Sequence, residues 1–289
     1  MQLAFLGLGQ IGGSIARAAS AAGLATRISA WSPTGAGPRA ATVDGIVAAP
    51  TAEDAIRGAD LIVLAAPALA SLALLDELAG PLGSALAPDA VITDVASTKA
   101  AIVARARSHG LRFVGGHPMA GRETAGYGSA DGQLLRGRPW VIVTAEPADA
   151  VADARVGELI AACGARPVKM SANEHDRAVA LISHLPLLVS AALVETAARS
   201  ADWPNARPLA AGGWDGMTRL ALGDVRMGSG IFATNAAEVL LHLAALRETL
   251  DRWEADLSAA DAEALAGSHL TEARAILTEA RAILTEEGR

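Results

Sequence analysis

A glycine-rich turn near the start of the chain constrains the fold more than any other feature. The residues Gly7-Leu8-Gly9-Gln10-Ile11-Gly12 follow an apolar run at 2–6 and precede an alanine-rich helical stretch. In this GxGxxG pattern the first glycine makes a tight turn, the second lets the backbone approach a pyrophosphate, and the third allows close packing of helix on strand. The helix N-terminus also attracts phosphate, because its free N–H groups carry partial positive charge. We therefore predict a dinucleotide site here. Its expected contacts are Gly7, Gly9, Gln10, Ile11 and Gly12.

Short apolar runs alternate with helical stretches through residues 1–171. The runs lack the apolar–polar alternation of half-exposed strands, as expected for parallel strands that are covered on both faces. This rhythm predicts βαβ units and an α/β fold with a Rossmann-type, doubly wound sheet over 1–171. The predicted strands are Gln2–Leu6, Arg27–Trp31, Leu61–Ala65, Ala90–Val95, Arg112–Val114, Trp140–Thr144 and Pro167–Met170.

The strand signals stop near residue 172, and an all-helical C-terminal domain is predicted over 172–289. Residues 173–199 are expected to form one long helix with a kink near Pro186, because proline removes a helical hydrogen bond. In a further helix over 235–257, leucines and Trp253 recur every three or four residues and form an apolar stripe. Such a stripe fits either an intrachain core or a dimer interface, and the sequence leaves both open.

Composition and charge exclude several classes of function. The 289 residues carry 24 Lys+Arg against 31 Asp+Glu, and this acidic balance argues against general nucleic-acid binding. The single Cys163 excludes a disulfide framework and a cysteine metal cluster, and no metal site is predicted. The longest uncharged runs, 61–75 and 178–194, are shorter than a membrane span, and no signal peptide is predicted. We expect a cytoplasmic protein without membrane or nucleic-acid partners.

The end of the second predicted strand bears on the choice of cofactor. NAD enzymes usually carry an acidic residue about 20 residues beyond the glycines, where it binds the ribose 2′-hydroxyl. Ser32 stands at that position, and the nearest acid, Asp44, lies well past it. A 2′-phosphate would not be repelled here, and Ser32 and Arg39 are placed to bind it. The prediction is NADP or NAD, with NADP favoured, against the alternative that Ser32 is a plain turn residue.

Three further strand ends carry the other candidate residues, since ligands of doubly wound sheets bind at this edge. Ala66 and Pro67 form a small turn suited to a wall against the cofactor. Ser97 and Lys99 follow the next strand; Ser97 also suits a helix cap, and Lys99 suits either a phosphate contact or plain solvation. His117, between Gly-Gly and Pro, is expected just beyond its strand with its ring exposed. With an ordinary pKa of about 6.5 it can accept a proton at neutral pH; the alternative is a buried histidine that caps a turn.

Several segments, taken in order, resemble the prephenate/arogenate dehydrogenase family of tyrosine biosynthesis. They are residues 7–12, 93–99, 115–121 (GGHPMAG) and 175–186 (HDRAVALISHLP), and the similarity extends through 212–220. The resemblance implies NAD(P)-dependent oxidative decarboxylation of prephenate or arogenate, in which hydride passes to nicotinamide, carbon dioxide leaves and the ring aromatises. It also implies a helical domain that forms a homodimer, with the active site in the cleft between the domains.

The resemblance assigns roles to individual residues. His117 matches the family histidine that deprotonates the substrate hydroxyl, and Ser97 matches the serine that hydrogen-bonds the same hydroxyl. Arg219 matches the arginine that holds the ring carboxylate. His184 is expected to border the substrate pocket or to be a satisfied histidine at a helix kink. His175-Asp176, at a helix start, is expected to be structural.

Some positions depart from the family pattern or stand apart from the site. Leu187 replaces a second histidine found in many prephenate-using members, which favours arogenate or tolerance of both substrates. Gly216 stands three residues before Arg219, where the family often has an acid, and Asp215 is displaced by one. Glu123 is expected to be exposed.

Two other classes of function remain open on the sequence. A β-hydroxyacid dehydrogenase or imine reductase would share the N-terminal fingerprint and a helical second domain. The hydroxyacid type would require a catalytic lysine in the helical half, and no lysine follows residue 169. A non-catalytic sensor that binds NAD(P) would bind cofactor without turnover.

Overall fold

The computed structural model describes residues 1–121, 124–144 and 148–287, and the chain divides into two compact units, 1–238 and 239–289. The first unit contains an eight-stranded sheet in the order β3-β2-β1-β4-β5-β6-β7-β8. The strands are β1 Gln2–Leu6, β2 Arg27–Trp31, β3 Val47–Ala48, β4 Leu61–Leu64, β5 Val91–Asp94, β6 Phe113–Pro118, β7 Pro139–Val143 and β8 Arg166–Lys169.

Helices connect these strands and cover both faces of the sheet. Those among the strands are α1 Gln10–Ala21, α2 Ala36–Ala40, α3 Ala52–Ile56, α4 Ala68–Ala79, α5 Ala100–Ser108 and α6 Ala150–Ala162. One core includes Phe5, Ile15 and Trp140, and the other includes Leu6, Leu75 and Ile92. Neighbouring residues of β1 thus face opposite cores, which explains why its apolar run is continuous. The predicted α/β fold with a Rossmann-type sheet is confirmed.

The sheet differs from the prediction in its last strands. β1 to β6 pair in parallel, but β7 runs antiparallel to β6, with His117 opposite Val141. β6 also extends through Pro118, so His117 lies within the strand. The expectation that His117 lies just beyond the strand end is therefore wrong. The sequence also missed β3, because a strand of two residues carries no periodic signal.

The helical part of the chain begins at α7 Ala172–Val179 and continues with α8 Leu185–Arg199, α9 Trp203–Ala206, α10 Gly212–Thr218, α11 Val225–Leu257 and α12 Ala262–Glu287. The expected single helix over 173–199 is interrupted by a π turn over Ala180–His184, and Pro186 lies in the first turn of α8. Proline is tolerated there because that N–H has no partner within the helix. Asn235 has non-helical backbone angles and divides α11.

Two stretches satisfy the length and hydropathy of a membrane span, Ala172–Arg199 and Val225–Leu257. Length and composition are the only basis for this, and core helices of soluble proteins pass the same test. In the second unit His269 Nε2 lies 2.7 Å from Asp256 Oδ2, and the His269 ring stacks on Trp253. The predicted division of the chain at residue 171 stays a prediction.

Candidate active site

The glycine turn between β1 and α1 is shaped by close backbone contacts. Gly7 has a φ of +93°, and a Cβ there would lie 2.4 Å from the carbonyl oxygen of Ala65. A Cβ on Gly12 would lie 2.7 Å from the Cβ of Ala65. A side chain at Gly9 would instead meet no atom within 4 Å. Gly7 and Gly12 are therefore required by packing, whereas Gly9 faces open space.

The N-terminus of α1 has the properties of a phosphate site. Its N-cap is Gly9, no side chain caps it, and its first turn carries no acidic residue. The first turn of a helix directs its N–H groups outward from the helix end, and this end therefore suits a pyrophosphate. Ile11 is half-buried, and the Gln10 side chain donates to the carbonyl oxygen and hydroxyl of Thr124 at 3.0 and 3.1 Å. These residues fit a dinucleotide.

The segment after β2 lies beside this turn. Gly7 donates its N–H to the Trp31 carbonyl at 2.7 Å, so Ser32 is next to the glycines. Arg39 is exposed, and its guanidinium donates to the Thr34 carbonyl at 2.9 Å. One hydroxyl and one guanidinium thus flank the loop where an acid would mark a 2′-hydroxyl site.

An ion pair is buried beneath the end of β5. Asp94 and Lys99 are both fully buried, and the Lys99 ammonium donates to Asp94. The carboxylate also accepts the N–H groups of Ala96 and Gly116, each at 3.0 Å. Burial lowers the pKa of Lys99, and the charge of Asp94 opposes that shift. Lys99 is therefore neither solvated nor free for a phosphate, which corrects both sequence-based expectations.

A second buried acid joins α7 to the start of α5. The Asp176 carboxylate accepts the N–H of Lys99 at 2.7 Å and that of Ala100 at 2.8 Å. Two otherwise free donors of α5 are thereby satisfied. Ser97 is half-buried, and the helix N-cap is Lys99, so Ser97 is not the cap of this helix.

The ring of His117 is buried and touches His175. His117 Nδ1 lies 2.8 Å from His175 Nε2, and His175 Nδ1 lies 2.7 Å from Asp176 Oδ1. His117 is 9% exposed, which corrects the expectation of an exposed ring. Burial above all, together with the positive charge of Lys99, lowers the pKa of His117 well below its ordinary value. His117 is consequently neutral at neutral pH and able to accept a proton.

His184 is the third histidine of this cluster. It ends the π turn and is buried, and its Nδ1 lies 3.1 Å from the amide nitrogen of Asn235. Asn235 also donates to the Asp176 carbonyl at 2.8 Å. Within the described part of the chain, His184 Nε2 is buried without a hydrogen-bond partner. Because buried polar atoms are normally paired, this nitrogen indicates a place for a ligand group.

The remaining predicted residues lie in several places. Ala66 and Pro67 precede α4, where Ser71 donates to the Ala66 carbonyl at 3.1 Å. Arg219 is exposed at the start of a 3₁₀ turn, which is held to α8 by a bond of 3.1 Å from Ala221 N–H to Ser190. Glu123 lies outside the described residues. Among the described residues, no group of three or more His, Cys, Asp or Glu side chains is arranged to hold a metal ion.

Sequence reasoning missed the contact of His175 with His117. The two histidines are 58 positions apart, and only the fold brings them together. The available signal was the HD pair itself, since an aspartate beside a histidine often fixes the ring's orientation.

Comparisons with known proteins cover most of the chain. Residues 15–169 match the model described as "Prephenate dehydrogenase, nucleotide-binding domain". Residues 171–271 match "Prephenate dehydrogenase, dimerization domain". A prephenate dehydrogenase of Bacillus subtilis is 31% identical over 253 residues, which are 86% of this chain and 66% of the relative. The match thus spans slightly less than two thirds of that relative.

Solved structures agree with this family. The prephenate dehydrogenase of A. aeolicus, in complex with hydroxyphenyl propionate and NAD+, superposes with a TM-score of 0.87 at 26% identity and covers 96% of this chain and 98% of its own. The arogenate dehydrogenase of Synechocystis gives a TM-score of 0.75 at 27% identity, with 99% of both chains covered.

The two first glycines are expected to respond differently to alanine. Gly7→Ala should lower the free energy of unfolding by about 2 kcal/mol or more, because its Cβ meets a backbone carbonyl at positive φ. Gly9→Ala should stay within about 1 kcal/mol of wild type, a change of cap preference only. It should nevertheless weaken NAD(P)H binding at least about tenfold, by occupying the phosphate space. Thermal unfolding and a fluorescence titration measure both effects; normal cofactor affinity in Gly9→Ala would contradict the assignment.

Acid should destabilise the fold through His184. Burial lowers the pKa of His184 to about 4. Between about 6.5 and 4 the unfolded chain therefore binds more protons, and stability falls as the pH falls. The loss from this group approaches about 1.4 kcal/mol per pH unit. His184→Gln should remove that share, so denaturant unfolding of the variant should depend less steeply on pH over this range. Parallel curves for the two proteins would show that His184 is not buried as neutral imidazole.

Proposed function

The chain belongs to the prephenate dehydrogenase family, and from that premise we propose that it catalyses the NAD(P)-dependent oxidative decarboxylation of prephenate or arogenate. The products are 4-hydroxyphenylpyruvate and tyrosine, respectively. The single observation that carries it is a neutral, buried His117, held by a hydrogen bond on Nδ1, in a fold whose glycine turn suits a dinucleotide.

The proposed role of His117 is that of the base. When bound, the nicotinamide supplies the hydride acceptor. An alcohol carbon gives up hydride readily only as its hydroxyl proton leaves, and His117 takes that proton. Loss of carbon dioxide supplies the electrons that aromatise the ring. A positioned base of this kind contributes about 10²–10⁴-fold to the rate.

Other residues of the site are proposed to bind substrate. Ser97 would hydrogen-bond the same hydroxyl, and Arg219 would pair with the ring carboxylate in the bidentate manner that guanidinium favours. His184 would offer its unpartnered Nε2 to a polar group of the substrate, which is supported by the burial of that nitrogen. Its Nδ1 faces the amide of Asn235, so Nε2 carries the hydrogen and acts as donor.

The enzyme is proposed to prefer arogenate over prephenate or to accept both substrates. Leu187 stands where many prephenate-using members carry a histidine, and an apolar residue cannot donate to a keto acid side chain. Turnover of prephenate or arogenate would separate this enzyme from the two alternative functions. A β-hydroxyacid dehydrogenase is disfavoured by the lack of any lysine beyond residue 169, and a sensor would bind cofactor without turnover.

A nicotinamide dinucleotide is the proposed cofactor, and NADP is proposed to be favoured over NAD. Support comes from Ser32 beside the glycine turn and from the exposed guanidinium of Arg39 over the same loop. Neither residue repels a 2′-phosphate, and both can donate hydrogen bonds to it.

The proposed assembly is a homodimer in the cytoplasm. The second family model is described as a dimerization domain. Leu240, Leu250 and Leu257, which belong to the predicted apolar stripe, are 62%, 55% and 60% exposed. This exposure supports the interface over the intrachain core as the purpose of the stripe.

The test is formation of reduced nicotinamide in four reactions: prephenate or arogenate, each with NAD or NADP. We expect turnover, with arogenate at least as good as prephenate. His117→Asn should lose about 10²–10⁴-fold in kcat and keep its cofactor Kd, because only the base is removed. Four silent reactions with intact cofactor binding would overturn the proposed substrate. Near-normal turnover by His117→Asn would remove His117 from the role of base.

Cofactor choice is tested by placing the missing acid. Ser32→Asp should lower kcat/KM for NADP at least about tenfold, because its carboxylate repels the 2′-phosphate, and should change NAD far less. Arg39→Gln should weaken NADP selectively as well. The matched control is Thr26→Asp, which adds the same charge at an exposed residue beside the opposite end of β2 and should leave both cofactors unchanged. A large NAD preference in the wild-type protein would contradict the proposal.

A further inference from the structure

A continuous row of hydrogen-bonding groups lies behind the proposed base. It runs from His117 Nδ1 to His175 Nε2 at 2.8 Å, and from His175 Nδ1 to Asp176 Oδ1 at 2.7 Å. All three side chains are buried, with His175 and Asp176 at 0% and 2% exposure. Water is thus largely excluded from these contacts, and the groups must satisfy one another.

Asp176, at the end of the row, determines which group donates in each hydrogen bond. That carboxylate already accepts two backbone N–H groups, from Lys99 and Ala100, at the start of α5. The oxygen that faces His175 already accepts the Lys99 N–H, and the oxygens of a carboxylate act only as acceptors. His175 Nδ1 must therefore carry the hydrogen that points at Asp176.

The hydrogen on His175 Nδ1 determines where the hydrogen of His117 lies. In neutral imidazole one nitrogen donates and the other accepts, so His175 Nε2 is left as an acceptor. The hydrogen in the contact between the two histidines then belongs to His117 Nδ1. His117 Nε2 is left with a free lone pair, which is what a base needs.

We propose that His175 and Asp176 are positioning residues that fix His117 as the Nδ1–H tautomer and so make Nε2 its basic nitrogen. This inference rests on the proposed role of His117 as the base. In the opposite tautomer, Nε2 would carry hydrogen and could not take a proton from the substrate. A protein with His117 in that tautomer would fold and bind cofactor normally, but it would not remove the substrate proton.

The tautomer can be measured without any substrate. We would label the histidines with ¹⁵N, record long-range ¹H–¹⁵N ring correlations, and assign His117 by comparison with His117→Asn. The expected pattern has a protonated Nδ1 and an unprotonated Nε2 at neutral pH. A protonated Nε2 on His117 in the wild-type protein would overturn the inference, whatever the activity assays give.

Two substitutions of His175 separate positioning from mere packing. His175→Gln can place an amide oxygen as acceptor opposite His117 Nδ1, whereas His175→Met fills similar space without an acceptor of comparable strength. We expect His175→Met to lose about 10²–10⁴-fold in kcat while the KM for substrate and the Kd for cofactor change little. Its His117 should show hydrogen on Nε2. His175→Gln should recover most of the lost kcat and the wild-type tautomer.

A matched control is His109→Gln. His109 makes a similar contact with a carboxylate, 2.7 Å from Nε2 to Asp76 Oδ1, but lies half-exposed away from this row. Its kcat should equal that of the wild type. The inference is overturned if His175→Met keeps kcat within about threefold, or if His175→Gln and His175→Met are equally impaired. If no substrate turns over in the wild type, the proposed function fails, and the ¹⁵N pattern still decides the tautomer.

Discussion

The fully buried charge pair of Asp94 and Lys99 is the constraint on which the rest of the site depends. A buried carboxylate is tolerated only when it is paired and hydrogen-bonded, and Asp94 meets both conditions through Lys99 and two backbone N–H groups. One of those groups belongs to Gly116, where a Cβ would lie 2.5 Å from the Asp94 carbonyl oxygen. The glycine before His117 is therefore required by the close approach of the β5 backbone. Because removing one partner of such a pair costs about 3–5 kcal/mol, the position of β6 against β5 is strongly fixed.

Asp176 extends the same principle from the sheet to the helices. It lies in α7, yet it accepts the first N–H groups of α5 and one ring N–H from its neighbour His175. Strands give way to helices near residue 172, but the hydrogen bonds of Asp176 still join α7 to the start of α5. This agrees with a compact unit that extends to residue 238.

The parts of the fold that could be predicted from the sequence are those whose causes are local. The turn at Gly7–Gly12 and strands β1 and β2 follow from neighbouring residues, and their bounds agree with the structure. The errors concern burial. Lys99 was expected at a phosphate or in solvent, and the ring of His117 was expected to be exposed. Both are buried by the fold, and the partner of the Lys99 N–H, Asp176, is 77 positions away along the chain. Periodicity reports which face of an element is apolar, but not which polar residues the fold will pair inside it.

Burial of His117 makes its protonated form less stable, and the hydrogen bonds through His175 to Asp176 offset this effect. An apolar surrounding keeps His117 neutral and ready, but it also opposes the imidazolium that forms when the proton arrives. On the proposed mechanism, the charge on His117 strengthens its Nδ1–H bond to His175, and His175 in turn polarises toward the Asp176 carboxylate. The negative charge stands two hydrogen bonds away, where it stabilises the protonated base without pairing with it directly. A carboxylate in contact with His117 would raise the resting pKa and favour the protonated ring, which could not act as the base. An intervening neutral histidine therefore lets one ring be neutral before the proton transfer and stabilised after it.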